Sequence, residues 1–134
     1  MDVSELMTAP PITAAPGTPV LEARQLMIDT RIRHLLVTEG PKLLGIVTDR
    51  DIRLNLPSPA TSLSVWEINH LLARMTVESV MTRAIITVDP RRDARVAAQL
   101  MLYHRIGALP VVDGATLIGI ITETDLLRAF VKSA

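Results

Sequence analysis

Thr48 and Asp51 stand three residues apart, and so do Thr122 and Asp125. Each pair follows an apolar run with one glycine: LLGIVTDRDIR from Leu43 to Arg53, and LIGIITETDLL from Leu117 to Leu127. A threonine hydroxyl both donates and accepts, and a carboxylate accepts at two oxygens. Two kinds of chemistry suit that spacing. In the first, Thr-x-x-Asp is a variant of the capping box that starts a helix, with the hydroxyl taking the third backbone N–H and the carboxylate complementing the dipole. In the second, a strand running into a helix start presents N–H groups to an anion. A carboxylate there can accept from the two adjacent hydroxyls of a ribose, as acidic residues do in dinucleotide folds. One such motif is weak. Two in register carry more weight.

The elements that must position them are themselves duplicated. At an offset of 74 residues Met7-Thr8 falls on Met81-Thr82, Gln25-Leu26-Met27 on Gln99-Leu100-Met101, and Arg31-Ile32 on Arg105-Ile106. Gly40 falls on Gly114, Gly45 on Gly119, Thr48 on Thr122 and Asp51 on Asp125, without a gap. Each copy reads as β-α-β-β-α. A short extended piece closed by proline (PPITAAP, AIITVDP) precedes a helix. Val20, Ala23 and Met27 share one face of the first such helix, and Ala97, Leu100, Met101 and His104 one face of the second. Thr18-Pro19 predicts an N-cap followed by proline in the first turn. Two apolar strands follow, joined through EGPK or DGAT. Strands apolar on both faces need cover on both sides, and a copy of about 55 residues buries little by itself. The expectation is two copies packed sheet to sheet.

Residues 54–76 have no counterpart. PSPATS reads as a linker, after which Ser62 or Ser64 could cap a helix carrying Val65, Ile68, Leu72 and Met75 on one face. Trp66, the only tryptophan, lies there too. The plain expectation is a connecting helix; the sharper one is a contact surface for a second subunit.

Composition narrows the function. Fourteen basic residues balance 14 acidic ones, which disfavours nucleic-acid binding by bulk charge, and one residue each of Trp, Tyr and Phe leaves little for base stacking. There is no cysteine, hence no disulfide framework or cysteine metal site. His34, His70 and His104 are scattered rather than spaced as metal ligands, with His104 expected to be partly buried. No nucleophile–base pair or phosphate-binding glycine loop suggests catalysis. The absence of a long apolar run and of a basic leader predicts a cytoplasmic protein with no membrane association. The arginines at 31, 33, 53, 91, 92, 95 and 105 read as solvated faces. Arg50 is the exception, lying inside Thr-x-x-Asp.

The whole chain, apart from 54–76, resembles a cystathionine-β-synthase (CBS) domain pair, or Bateman module. The residues that carry the resemblance are the LMT and VMT openings, ITVDP, RIGALPVVDG, LIGIITETDLL and LLGIVTDRDIR. The intervening stretch looks most like the CBS pairs of acetoin-utilisation-type proteins. Those often carry a further C-terminal ligand-binding domain, whereas this sequence stops at Ala134, so their physiology is not carried over. The resemblance implies an α/β (α+β) fold, a tandem pair of repeats with pseudo-twofold symmetry: repeat 1 over 1–56, a linker and connecting helix over 57–76, and repeat 2 over 77–134. It implies two clefts between the repeats for an adenosine-containing regulatory ligand, AMP, ADP, ATP or S-adenosylmethionine, and in some members NAD(H) or cyclic dinucleotides. It implies no cofactor, catalytic residue or metal site. Asp51 and Asp125 would hold ribose hydroxyls, and Thr48 and Thr122 would face ribose or phosphate. Backbone near Thr13-Ala14 and Thr87-Val88 would meet the adenine edge. Arg33-His34-Leu35 and Gly107-Ala108-Leu109-Pro110 would line the wall, with Arg50 beside any phosphate. Arg50 and Arg33-His34 in the first copy, against Gly107-Ala108 in the second, predict unequal sites. A homodimer is expected through apolar residues around Ala97, Leu100, Leu126-Leu127, Leu63, Trp66 and Leu72, and an unidentified protein target is a further partner. The alternatives are a structural dimerisation module with vestigial sites and, less favoured, a nucleic-acid binder.

Overall fold

In a computed structural model, described here over residues 1–57 and 62–133, twelve elements follow one another. They are α1 (Val3–Leu6), β1 (Thr13–Ala14), α2 (Val20–Thr30), β2 (His34–Glu39), β3 (Lys42–Thr48), α3 (Asp49–Leu54), α4 (Val65–Arg74), α5 (Val77–Val80), α6 (Ala94–His104), β4 (Ala108–Asp113), β5 (Thr116–Thr122) and α7 (Glu123–Lys132). Residues 58–61, most of the expected PSPATS linker, and Ala134 lie outside the described residues.

The chain forms two compact units, Ile12–Ile85 and Met1–Pro11 with Ile86–Ala134. They do not follow the boundaries of the repeated sequence. Thr82 exchanges two backbone hydrogen bonds with Ile46, at 2.9 and 3.0 Å, and Thr8 does the same with Ile120, at 2.8 and 3.0 Å. The opening of each repeat thus adds one antiparallel bridge to the hairpin of the other.

Each unit is built on that hairpin. β2 pairs antiparallel with β3 and β4 with β5, with a bulge at matched positions after Val37 and Val111. Two residues close each turn, Gly40-Pro41 and Gly114-Ala115. The glycines take φ of 58° and 61°, the first-position glycine of a type II′ turn, whose twist suits a hairpin. Leu35, Leu36 and Val37 are fully buried, as are Leu109, Pro110 and Val111. Consecutive strand residues point to opposite faces, so both faces of each hairpin are covered, as expected. Val20, Ala23 and Met27 on α2 and Ala97 and Met101 on α6 complete two separate aliphatic cores.

The copies differ in their first strand. β1 pairs parallel with β2 through Thr13–Leu36 and Ala14–Val37. Its counterpart keeps only the single bridge Val88–Val111. Pro110 stands where the first copy has Leu36 and has no N–H to donate, so the ladder shortens there. Arg91 binds both Asp89 and Asp113 at 2.9 Å across this weakened edge, though exposed pairs of this kind contribute little.

Several expectations are corrected. α2 begins at Val20 with Pro19 at the N-cap and no side-chain cap, so Thr18 does not cap it. The matched helix α6 is capped by Asp93, whose carboxylate accepts the Arg95 N–H at 2.8 Å. His104 is exposed rather than partly buried, and packs edge-on against Tyr103. Ala97 lies in the core rather than on an apolar surface, and Leu100 and Leu126 are half-buried against it. Of the two serines, Ser64 caps α4, in a full capping box with Glu67. On α4, Ile68 and Leu72 are half-buried, while Val65 and Trp66 are exposed.

Gly45 and Gly119 sit where the exchanged segments cross the strands. A Cβ on Gly119 would lie 2.8 Å from Met7 Sδ and 2.9 Å from the Thr8 carbonyl oxygen. A Cβ on Gly45 would meet only the Met81 side chain, which can rotate. Gly119→Ala should therefore lower stability by about 1–3 kcal/mol, the usual range for overpacking, and Gly45→Ala by clearly less. Urea denaturation midpoints of the two variants decide it.

Candidate functional site

Register brings the sequence-derived candidates together at one end of each hairpin. In the unit Ile12–Ile85, His34 at the start of β2 lies opposite Thr48 at the end of β3, with β1 alongside β2. In the other unit Ala108 lies opposite Thr122, with Val88 beside Val111. Arg33 precedes β2 and Gly107 precedes β4 at matched places. Each unit thus carries its own set of candidates on and beside one hairpin.

Both Thr-x-x-Asp motifs are complete capping boxes with nearly the same geometry. The Thr48 N–H donates to Asp51 Oδ2 at 2.8 Å, the Thr48 hydroxyl donates to the same oxygen at 3.0 Å, and the Asp51 N–H donates to Thr48 Oγ1 at 3.3 Å. For Thr122 and Asp125 the distances are 2.9, 3.1 and 3.3 Å. The cap occupies the hydroxyl and one carboxylate oxygen. Among the described residues Asp51 Oδ1 accepts no hydrogen bond, and Asp125 Oδ1 has only Arg128, at 3.7 Å. A carboxylate fixed by one oxygen and open at the other can accept from a donor pair such as a diol.

The surroundings sort the remaining candidates. Ala14, Leu35, Val88 and Leu109 turn into the cores, and Ala108 and Pro110 are buried. Any contact these six make with a ligand falls to the main chain or to a shallow apolar wall. Thr13, Arg33, Arg50 and Thr87 are exposed, and His34, Thr48, Asp51, Gly107 and Thr122 are half-buried. Asp125 is 8% exposed and is the one buried charged residue among those described. Near Thr87-Val88, hydrogen bonds from Arg91 hold the Asp89 carboxyl below its ordinary range. The N–H of Arg95 does the same to Asp93.

Two ion pairs beside the Thr-x-x-Asp motifs escaped sequence reasoning. Arg53 binds Asp49 at 2.9 Å and Arg128 approaches Asp125. Their i,i+4 and i,i+3 spacings were the available signal. Among the described residues no three His, Asp or Glu side chains gather as a metal ion would require. No helix of the described residues is long and apolar enough to cross a membrane.

A tandem α/β module with one matched carboxylate site per hairpin is the class that this geometry defines. The CBS domain family matches residues 3–58 and 77–132. The chain belongs to that family, as a domain pair. It is similar to the structure of a proposed acetoin utilization protein, AcuB, from Vibrio cholerae, at 30% identity and a TM-score of 0.84, covering 99% of this chain and 92% of that one. It is also similar to the CBS domain pair of protein MJ0100 in complex with 5′-methylthioadenosine and S-adenosyl-L-methionine, at 30% identity and a TM-score of 0.78, covering 100% and 98%. L-aspartate semialdehyde sulfurtransferase of Methanocaldococcus jannaschii is 33% identical over 96% of this chain, which spans 23% of that protein's length. A CBS domain-containing protein, YhcV, of Bacillus subtilis is 31% identical over 92% of this chain, which spans 81% of its length.

The caps have a measurable worth of their own. Thr48→Val and Thr122→Val should each lower ligand-free stability by about 1 kcal/mol, the usual cost of losing a threonine N-cap, or roughly 3–5 °C in Tm for a chain of this length. Thr→Ser at either position should restore most of it. Thermal unfolding followed by circular dichroism checks both.

Proposed function

We propose that the chain is a non-catalytic regulatory module of the cytoplasm that binds an adenosine-containing small molecule, AMP, ADP, ATP or S-adenosylmethionine. The observation that carries this is the pair of aspartates, each held through one oxygen by its own threonine and left with the other oxygen to accept. The two hydroxyls of a ribose match such an acceptor. The ligands carried by the MJ0100 pair, both adenosines, support the same reading. On this proposal Asp51 and Asp125 take the ribose, with Thr48 and Thr122 fixing them. Main chain at Thr13-Ala14 and Thr87-Val88 meets the adenine. Residues 33–35 and 107–110 form the wall, and Arg50 lies by the 5′ substituent. The repeat boundaries 1–56 and 77–134 remain our division of the sequence.

A stable dimer is the second part of the proposal. Leu102 and Tyr103 on α6, and Leu127, Phe130 and Val131 on α7, are 64% to 84% exposed. The three on α7 follow the i, i+3, i+4 spacing of one helical stripe. Apolar surface of this extent usually marks an association site.

A ligand at about 100 times its Kd adds roughly 2.7 kcal/mol, so the matching adenosine should raise Tm by about 10 °C. A flat response to AMP, ADP, ATP and S-adenosylmethionine at millimolar concentration would leave the motifs as helix caps and the chain as a structural interaction module. Sedimentation at tens of micromolar should give twice the chain mass of 14.7 kDa, and Phe130→Glu should shift the protein toward monomer. A monomer before substitution would overturn the dimer.

A further inference from the structure

We infer that the two sites sort adenosine ligands by charge: the site in Ile12–Ile85 takes phosphate-bearing nucleotides, and the site on Thr122 and Asp125 takes adenosines without phosphate. The inference rests on the adenosine reading above and assigns a ligand class to each site. The threonine–aspartate geometry agrees within 0.1 Å between the copies, so ribose recognition cannot tell the sites apart. The charge around them differs.

In the first unit Arg33 precedes the strand residue His34, which pairs with Thr48, and Arg50 lies between Asp49 and Asp51. Both arginines are exposed. Among the described residues neither has an ion pair, whereas Asp49 is already neutralised by Arg53 at 2.9 Å. Three cations therefore stand against two carboxylates. In the second unit the matched positions hold Gly107 and Thr124. Arg128 is the cation beside the motif, and it is turned to Asp125, 3.7 Å away. Its counterpart in the first copy is the uncharged Leu54. Glu123 forms no ion pair among the described residues and adds a second negative charge, so one cation stands against two carboxylates. A phosphate meets two uncommitted guanidiniums at the first site and net negative charge at the second. Arginine–phosphate bonds are charge-assisted and roughly twice as strong as neutral ones. An adenosine bearing an uncharged or positive 5′ group loses nothing at the second site.

Calorimetry on the intact chain tests this with ADP and 5′-methylthioadenosine as probes, for the native sequence, an Arg33→Gln/Arg50→Gln double variant, and Arg24→Gln as a control for net charge on α2. The expected result is an ADP affinity about tenfold weaker in the double variant, with 5′-methylthioadenosine changed less than twofold and Arg24→Gln within twofold for both. The ADP loss should shrink as salt is raised, because screening weakens such contacts. Unchanged ADP affinity in the double variant, or an equal loss of both ligands, would overturn the charge sorting while leaving adenosine binding intact. If the native chain binds neither probe, the adenosine reading fails, and this inference with it.

Discussion

Thr8 and Thr82 each lend a pair of backbone hydrogen bonds to the middle of a strand that belongs to the other repeat. Much else depends on that crossing. Thr82 meets Ile46, two residues before Thr48, and Thr8 meets Ile120, two residues before Thr122. The outer edge of each hairpin is therefore occupied immediately before the strand turns into its helix and presents the aspartate. The crossing also favours glycine beside it. A Cβ at 119 would meet the Thr8 carbonyl oxygen as well as the Met7 side chain and would push that segment off the strand, whereas a Cβ at 45 would meet only the Met81 side chain, which can rotate away. Unpaired strand edges invite association with other chains, and here the chain covers part of its own.

The site follows from an economical use of one carboxylate. Placed third in the helix, the aspartate closes a capping box through a single oxygen. That bond, with the threonine hydroxyl, fixes the side-chain rotamer before any ligand arrives. A group already held in place loses little freedom on binding. The capping role and the ligand role are thus compatible, because they draw on different oxygens of the same group.

The two units share backbone to a fine level and part company in side chains. Arg31 and Arg105 end α2 and α6 in the left-handed conformation at φ of 57° and 55°, and the hairpin bulges fall at matched positions. Against that background, Pro110 shortens one ladder, Arg91 spans the gap beside it, and α7 carries an apolar stripe. At the α7 positions Leu127, Phe130 and Val131 the first copy has Arg53, Leu56 and Pro57. The copies agree in most of the parts that set geometry and differ chiefly in those that set charge and surface.

Periodicity and self-similarity by themselves determined the repeat, the main helices, the aliphatic cores, the hairpins and the two matched motifs Thr48–Asp51 and Thr122–Asp125, but not the short helices α1 and α5 or the reduction of the second copy's first strand to a single bridge. These are local properties: alternation along a strand, i, i+3, i+4 spacing along a helix, and the turn and cap residues between them. Tertiary structure decided that residues 1–11 join the unit built on Ile86 onward, because pairing between distant strand segments leaves no local trace in either segment. It also decided that the helix begins after Pro19 rather than after Thr18, and that Ala97 is interior while Leu102 and Tyr103 are not. The burial of an apolar residue depends on which side of its helix meets the sheet, and composition alone does not specify that. Finally it decided which charges are spent. Arg53 and Arg128 reach carboxylates one turn away, while Arg33 and Arg50 reach none among the described residues, since a charge is committed only where the backbone brings an opposite one within range.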